Sequence, residues 1–385
     1  MIPYGRQTIG EDDIRAVVDV LRSDFLTQGP VVPRFERAVA EHCGVAHAVA
    51  VNSATSALHI ACLALGIGPG DRVWTSPNTF VATANSARFC GAGIDFVDID
   101  PATYNMSVAA LAAKLAAAEA RGALPKVVIP VHFGGLPCDL AGIQGLAQRY
   151  GFRVIEDASH AIGARYQNSV IGDCQYSDIT VFSFHPVKII TTAEGGMATC
   201  RVPELAQAMR LLRTHGVTRD PALLQHADEG AWYYEQQRLG FNYRMTELQG
   251  ALGLSQLAHL PQWIARRHQL ADAYDARLSE LPLILPRRPP ESRSALHLYV
   301  VQVDPARARL DRRTVFERLR ADGIGVNVHY IPVHTQPDFA TFGFRAGDFP
   351  ESEAYYARCL SLPMFAGLSD SDQARVCEAL RRALA

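Results

Sequence analysis

The sequence predicts an α/β protein built on a mostly parallel central sheet flanked by helices, with a smaller C-terminal α/β domain. Three observations carry this prediction. From about residue 33 to 202, short β-branched or apolar runs alternate with helical stretches of apolar periodicity, the pattern of strand, crossover helix and parallel strand. Polar or charged residues stand directly after three of those strands: Asn52 to Ser56 after 46–51, Asp157 after 153–156, and Lys188 just past 178–182. A long helical stretch, 261–280, then leads into a second, shorter set of elements. A chain of 385 residues has the length for two or three domains and a large core, and we place the division at 1–258 and 259–385.

The elements follow in order. Residues 11–22 form an amphipathic helix, acidic at its start and basic at its end, in the sense that suits the helix dipole. Leu26 to Pro30 is a turn. Helices are expected at 33–43, 55–66, 79–88, 107–119 and 139–150, and strands at 47–51, 71–75, 93–97, 126–131, 153–156, 163–166, 178–183 and 197–200. A helix at 203–213 and a polar, aromatic-containing region at 214–241 lead to Asn242, a helix ending near 258, and the bridging helix 261–280. The Pro- and Arg-rich run 282–295 reads as a loop, 296–303 as a strand, 311–322 as a helix, 324–328 as a strand and 370–384 as the last helix.

Composition narrows the function. Hydrophobic residues at 48% and charged residues at 20% describe a soluble globular protein. Its 37 basic and 39 acidic side chains leave a net charge of −2, with no basic excess to hold nucleic acid or anionic lipid. The eight cysteines are scattered, without C-x-x-C or a histidine cluster at metal spacing, so neither zinc nor a disulfide framework is indicated. They read as reduced thiols of a cytoplasmic protein. The N-terminal residues have no signal-peptide pattern, and no apolar run is long enough to span a membrane.

The chemistry sits at the strand ends, where open α/β sheets bind ligands. Lys188 follows Ser183-Phe-His-Pro-Val, in which Pro186 prevents an immediate helix, and Ile189 and Ile190 make its setting apolar. A lysine there must pair or give up its proton, and giving it up makes an amine nucleophile. Asp157 offers an anion, and the amides around Ala54 and Thr55 offer the unpaired N–H groups of a helix N-terminus. Pyridoxal 5′-phosphate needs that set: an amine for its aldehyde, an anion for its pyridinium nitrogen, and donors for its phosphate, with Ser183 adding a hydroxyl. Phe80 is placed to stack on the ring, and core packing is the competing role. His132 reads equally well as a core histidine. Arg244 and Glu247, three apart at a helix start, suit a structural ion pair as well as a substrate contact.

Asn52-Ser-Ala-Thr-Ser-Ala-Leu58, Phe80-Val-Ala-Thr83, Val131-His-Phe-Gly-Gly135, Glu156-Asp-Ala-Ser-His160, Ser183-Phe-His-Pro-Val-Lys188, Glu194-Gly-Gly196, Asn242-Tyr-Arg-Met245 and His329-Tyr-Ile-Pro332 occur in one order over nearly the whole chain. In these motifs the sequence resembles the DegT-type sugar aminotransferases, fold-type I pyridoxal phosphate enzymes that aminate keto sugars carried on nucleotides. Ile2 to Gln7, Ser23 to Pro30 and His185-Pro-Val-Lys188 look most like the branch that makes 4-amino sugars for pseudaminic acid.

The resemblance implies Lys188 as the catalytic residue. It implies cofactor contacts from Ala54, Thr55, Phe80, Asp157, His160 (beside the ring hydroxyl), Ser183 and Lys188, with Asn242 of the partner subunit completing a site shared in a homodimer. Substrate contacts are expected from Tyr4, His185, His329 and Tyr330, the Leu26–Pro30 turn lying near the nucleotide sugar, with L-glutamate as amino donor and a UDP-linked keto sugar as acceptor. Many relatives carry Gly-Glu-Gly-Gly after the lysine; Ala193 holds the first place here, which implies an ordinary φ at 193. A sugar dehydratase of the same family would carry histidine instead of Lys188. A cysteine desulfurase would need an activated thiol, and a regulator without activity would need a DNA-binding segment.

Overall fold

The computed structural model describes residues 1–226 and 229–385. In the first half, helix α1 (Glu11–Leu21) and α2 (Val31–Cys43) precede β1 (His47–Val51), α3 (Ala54–Ala64), β2 (Arg72–Thr75), α4 (Val81–Phe89), β3 (Gly93–Phe96), α5 (Val108–Glu119), β4 (Val127–Ile129), α6 (Leu140–Tyr150) and β5 (Arg153–Asp157). A short hairpin, β6 (Arg165–Tyr166) and β7 (Ser169–Val170), leads to β8 (Ile179–Ser183), β9 (Gly196–Cys200) and α7 (Pro203–Arg213). β10 (Val217–Thr218) and β11 (Glu235–Gln236) pair within the polar region before α8 (Glu247–Leu278). β12 (Leu283–Ile284), β13 (Ser292–Arg293), β14 (Tyr299–Val303), α9 (Arg312–Ala321), α10 (Pro337–Ala340), α11 (Pro350–Arg358), β15 (Cys359–Leu362) and α12 (Asp370–Leu384) complete the chain.

Seven strands form the main sheet in the order β1-β9-β8-β5-β4-β2-β3. Only β9 runs against its neighbours, pairing antiparallel with both β1 and β8, and the remaining pairs are parallel. Period-two alternation divides its side chains between the two sides of the main core. Ala48, Trp74, Val128, Val154 and Phe182 face one, and Val49, Val73, Ile129, Ile155 and Val181 the other. Burial on both faces is why these strands read as continuous apolar runs. A second core lies around β12-β14-β15, with α9, α12 and the end of α8.

The expected break between two helices near residue 258 is absent. α8 is a single helix of 32 residues, roughly 48 Å long, with Pro261 inside it. Thr246 and Gln249 start it with a reciprocal capping box. The expected boundary at 258/259 therefore lies within α8, which packs Leu260 and Trp263 on the main core and Leu270 and Tyr274 on the second.

Other expectations need correction. Residues 324–328 make no strand, because their edges pair with different segments through single bridges, Ile2 with Ile324 and Asn327 with Ser361. The adjacent strand, β15, is Cys-Leu-Ser-Leu entered directly from a helix, so neither β-branching nor a turn announced it. Ala193 does not take an ordinary φ: it is left-handed, at +64°, with its N–H donating to Thr191 Oγ1 at 3.0 Å. Arg244 and Glu247 form no ion pair. The buried Glu247 carboxylate instead accepts the Val31 and Val32 N–H groups, at 2.6 and 3.2 Å. It thereby caps α2, whose own N-cap, Pro30, has no side-chain acceptor.

Two stability outcomes follow. Glu247→Ala lowers unfolding free energy by about 1–3 kcal/mol in urea denaturation, and Glu247→Gln by less because an amide oxygen still accepts. Ala193→Gly raises it by about 0.5 kcal/mol, since relief of left-handed strain exceeds the added unfolded-state entropy.

Candidate active site

The carboxyl ends of β1, β5 and β8 open on one cleft of about 570 Å3, closed on its far side by residues 327–330. Ser53, Ala54 and Thr55 line it from the start of α3, Thr79, Phe80 and Thr83 from the start of α4, and Asp157 and His160 from the end of β5. Ser183, His185 and Lys188 line it beyond β8, and Tyr4, His297, His329 and Tyr330 come from the second core's side. A comparable hollow of about 630 Å3 between α1, α2 and α8 holds no lysine or histidine.

Lys188 is partly buried, and no hydrogen bond to its Nζ is made among the described residues. Burial lowers its pKa to about 8, the nearby Asp157 charge opposing that shift. Asp157 is fixed by two donors: Thr83 Oγ1 to Oδ2 at 2.7 Å, and Ser159 N–H to Oδ1 at 3.1 Å. Thr79 in turn lies 2.8 Å from Thr83, so one hydroxyl chain from α4 orients the carboxylate.

At α3, Ser53 is the N-cap and accepts from Ser56 N–H at 3.1 Å, leaving the first-turn amides of Ala54 and Thr55 without intrahelical acceptors. β9 approaches this turn closely. A Cβ on Gly196 would lie 2.6 Å from Ala54 N, so only glycine lets the strand and the helix start meet. An amine, an oriented anion and open helix amides around one cleft of this size are the donor set that pyridoxal phosphate requires, and the residues present fit it.

The histidines on the second core's side are neutral. His329, bonded through Nδ1 to Ser361 Oγ at 2.7 Å, has its pKa pushed down to about 3 by burial and by Lys188. Burial drives His160 and His297 well below the ordinary imidazole value, Lys188 adding to the shift in each. Tyr4 lies with its ring 5.4 Å from that of His329. It is delivered there because Ile2 packs in the second core and Tyr4 O accepts from Met364 N–H. Phe80 stands as the N-cap of α4, 60% exposed, with its ring 6.4 Å from Tyr330.

Some expected residues lie elsewhere. Asn242 does not line the cleft of a single chain; it bridges to Thr214, and its carbonyl accepts from Asn52 Nδ2. The Leu26–Pro30 turn lies by α8, where Leu26 O accepts Glu247 N–H. His132 is fully buried, with Nε2 2.7 Å from Glu156 and Nδ1 accepting Cys138 N–H, and belongs to the core. Thr83 and His297 are the additions. Thr83 stood within a recognised motif, but nothing in its spacing indicated a bond to Asp157. His297 sits in a run that reads as strand entry, and only the fold turns it toward the cleft. All eight cysteines are free and buried and none lines the cleft, which removes the desulfurase alternative.

Residues 7–381 match the DegT/DnrJ/EryC1/StrS aminotransferase family. The chain belongs to this family. Its residues are 42% identical over 383 positions to the spore coat polysaccharide biosynthesis protein SpsC of Bacillus subtilis, covering 99% of this chain and 96% of that one. The fold superposes with TM-score 0.90 and 29% identity on Helicobacter pylori PseC, an aminotransferase involved in the biosynthesis of pseudoaminic acid, covering 100% of this chain and 99% of that one. The same values hold for the sugar aminotransferase Spr1654 of Streptococcus pneumoniae in its PMP form. The protein is thus a pyridoxal phosphate-dependent sugar aminotransferase of fold type I. No helix among the described residues is long and apolar enough to cross a membrane.

The lowered pKa has a direct readout. Below about pH 8 the Lys188 amine is mostly protonated, and above it mostly neutral. In the cofactor-free protein its labelling by an amine-reactive reagent, followed by peptide mass mapping, is half-maximal near pH 8, while exposed lysines keep rising toward the ordinary lysine value. A Lys188 profile that follows the exposed lysines contradicts the shift.

Proposed function

We propose that this aminotransferase moves an amino group from L-glutamate to C4 of a UDP-linked 2-acetamido-2,6-dideoxy-4-keto-hexose, in a pseudaminic acid or related surface-sugar pathway. The observation that carries the reading is the convergence of the Lys188 amine, the Asp157 carboxylate and the α3 amides on one cleft. The pseudoaminic acid role of PseC and the polysaccharide role of SpsC support the sugar class.

Pyridoxal phosphate, when bound, supplies an aldehyde carbon and an electron-withdrawing ring. Asp157, already oriented by Thr83 and Ser159, accepts the hydrogen bond of the ring nitrogen. Ala54 and Thr55 amides and the Ser183 hydroxyl hold phosphate oxygens, with Asn242 of the partner subunit adding a donor in a homodimer. Phe80 and His160, which line the same cleft, would flank the ring. Lys188, as a free base, removes the proton from Cα of the amino donor and, in the return half, delivers one to C4 of the sugar. A group with a pKa near 8 does both at neutral pH, because neither form is scarce. Tyr4, His329 and Tyr330 on the second core's side of the cleft and His185 beyond β8 are the sugar-nucleotide contacts in this reading. The ring and hydroxyl groups of Tyr4, His329 and Tyr330 suit hydroxyl and ring recognition.

Incubation with a panel of UDP- and dTDP-linked 3-keto and 4-keto sugars plus glutamate, with products read by mass and NMR, tests the proposal. The 4-amino UDP product is expected, and exclusive amination at C3 or of dTDP sugars overturns the substrate assignment. Borohydride reduction of the holoenzyme fixes the cofactor mass on the Lys188 peptide, and Lys188→Ala abolishes turnover. Turnover by that variant at the wild-type rate ends the mechanism.

A further inference from the structure

The Val131–Gly135 motif has no role in the site as described above, yet its turn is wedged between two segments that build the cleft. Gly134 and Gly135 have left-handed φ values of +62° and +96°. A Cβ on Gly135 would lie 2.9 Å from the His160 carbonyl oxygen and 2.9 Å from Leu296 N. Ala295 N–H and Leu298 N–H donate to the carbonyls of Gly135 and Gly134, at 2.9 and 3.1 Å. Held in this way, the turn donates Gly134 N–H to His160 Nδ1 at 3.2 Å.

That bond decides where a proton sits. A ring nitrogen that accepts carries no hydrogen, so neutral His160 holds its proton on Nε2. Burial keeps the ring neutral, reinforced by the charge of Lys188 and by His329. His297, whose ring centroid is 4.4 Å from that of His160, is neutral for the same reason and brings no compensating anion. Nε2 lies 3.1 Å from the Tyr330 hydroxyl and therefore donates to it. The phenol is itself held protonated, by burial and by the Asp157 charge. Its oxygen is taken up as an acceptor, and its proton meets no other acceptor among the described residues.

We propose that Gly134, His160 and Tyr330 form a one-way hydrogen-bond chain that presents the Tyr330 hydroxyl proton to a carbonyl or anionic oxygen of the bound ligand. The assignment rests on the cleft being the cofactor and substrate site. His160 acts in it as a positioning residue, setting the direction of the tyrosine hydroxyl. A ring oxygen of the cofactor and the carbonyl oxygen of the keto sugar share the required chemistry, and Tyr330→Phe distinguishes them.

The direction of the chain is read first in the cofactor-free full-length protein, without any assay of amination. Carbon and nitrogen chemical shifts of labelled histidine, with His160 assigned through His160→Gln, show the Nε2–H tautomer, unchanged from about pH 6 to about pH 8. An Nδ1–H tautomer, or titration near the ordinary histidine value, overturns the proposal while leaving the sugar assignment intact. Tyr330→Phe then raises the cofactor dissociation constant roughly tenfold if the cofactor oxygen is the acceptor, or lowers kcat/KM for the sugar roughly tenfold at unchanged cofactor affinity if the sugar is. A Tyr330→Phe enzyme altered in neither overturns it. His160→Gln, which keeps a donor near the Nε2 position, retains most of the wild-type value, and His160→Leu reproduces the Tyr330→Phe loss. Equal losses in the two His160 variants mean that the ring serves packing alone, and overturn the chain.

Discussion

A lysine ammonium loses several hydrogen bonds to water when it enters a protein cleft, and the structure around Lys188 is arranged so that the loss is only half repaid. Burial expels the proton while the Asp157 charge draws it back, and the balance brings the pKa to about 8, so that a usable fraction of the amine is neutral at physiological pH. Asp157 satisfies this role because it is not itself a close partner. Its two oxygens are engaged by Thr83 and Ser159, so it contributes a field at Lys188 without locking the amine in a salt bridge. A direct ion pair would have raised the lysine pKa and removed the nucleophile. The parallel order of β5 and β8 enforces this separation, since adjacent strands deliver both groups to the same edge of the sheet.

The neutrality of the surrounding imidazoles is part of the same balance. Burial pushes His160, His297 and His329 toward the uncharged form, and the charge of Lys188 adds to the shift in each. Neutral rings can be directional, accepting at one nitrogen and donating at the other, whereas imidazolium can only donate. The cleft thus gains oriented hydrogen bonds from His160 and His329 without placing further positive charge beside Lys188.

What the sequence made legible follows from burial. Strands covered on both faces must be apolar throughout, so β1, β5 and β8 were visible as runs, and polar residues at their ends stood out as departures with a chemical meaning. Lys188, Asp157 and the Ala54–Thr55 turn were singled out in this way, and they line one cleft. Groups whose orientation depends on distant chain were not visible. Thr83 acquires its role only because α4 and β5 meet, and His297 only because the second core folds back on the first. Glu247 looked like the partner of a neighbour three residues away, but the N–H groups that donate to it lie more than two hundred residues upstream. Ala193 was misread because side-chain size predicts φ only when the surroundings are permissive; here Thr191 and Thr192 fix the loop, and the residue bears the strain.

The longest-range element in the site is the N-terminal arm. Ile2 packs in the second core and pairs with the 323–325 turn, while α1 lies along the middle of α8, where Gln256 Nε2 bonds both Thr8 O and Asp13 Oδ2. The same glutamine accepts Thr191 N–H, from the loop that follows the lysine. Residues 2–13 therefore touch the second core at one end and are linked to the lysine loop through Gln256 at the other, with Tyr4 between them facing the cleft. Because α8 carries both contacts and also runs continuously from the main core to the second, a hinge between 1–258 and 259–385 would have to break the arm, the helix or both. Tyr4, His329 and Tyr330 are accordingly held against the strand-end residues as one framework, which is the condition for a substrate oxygen to meet a donor whose direction has been set in advance.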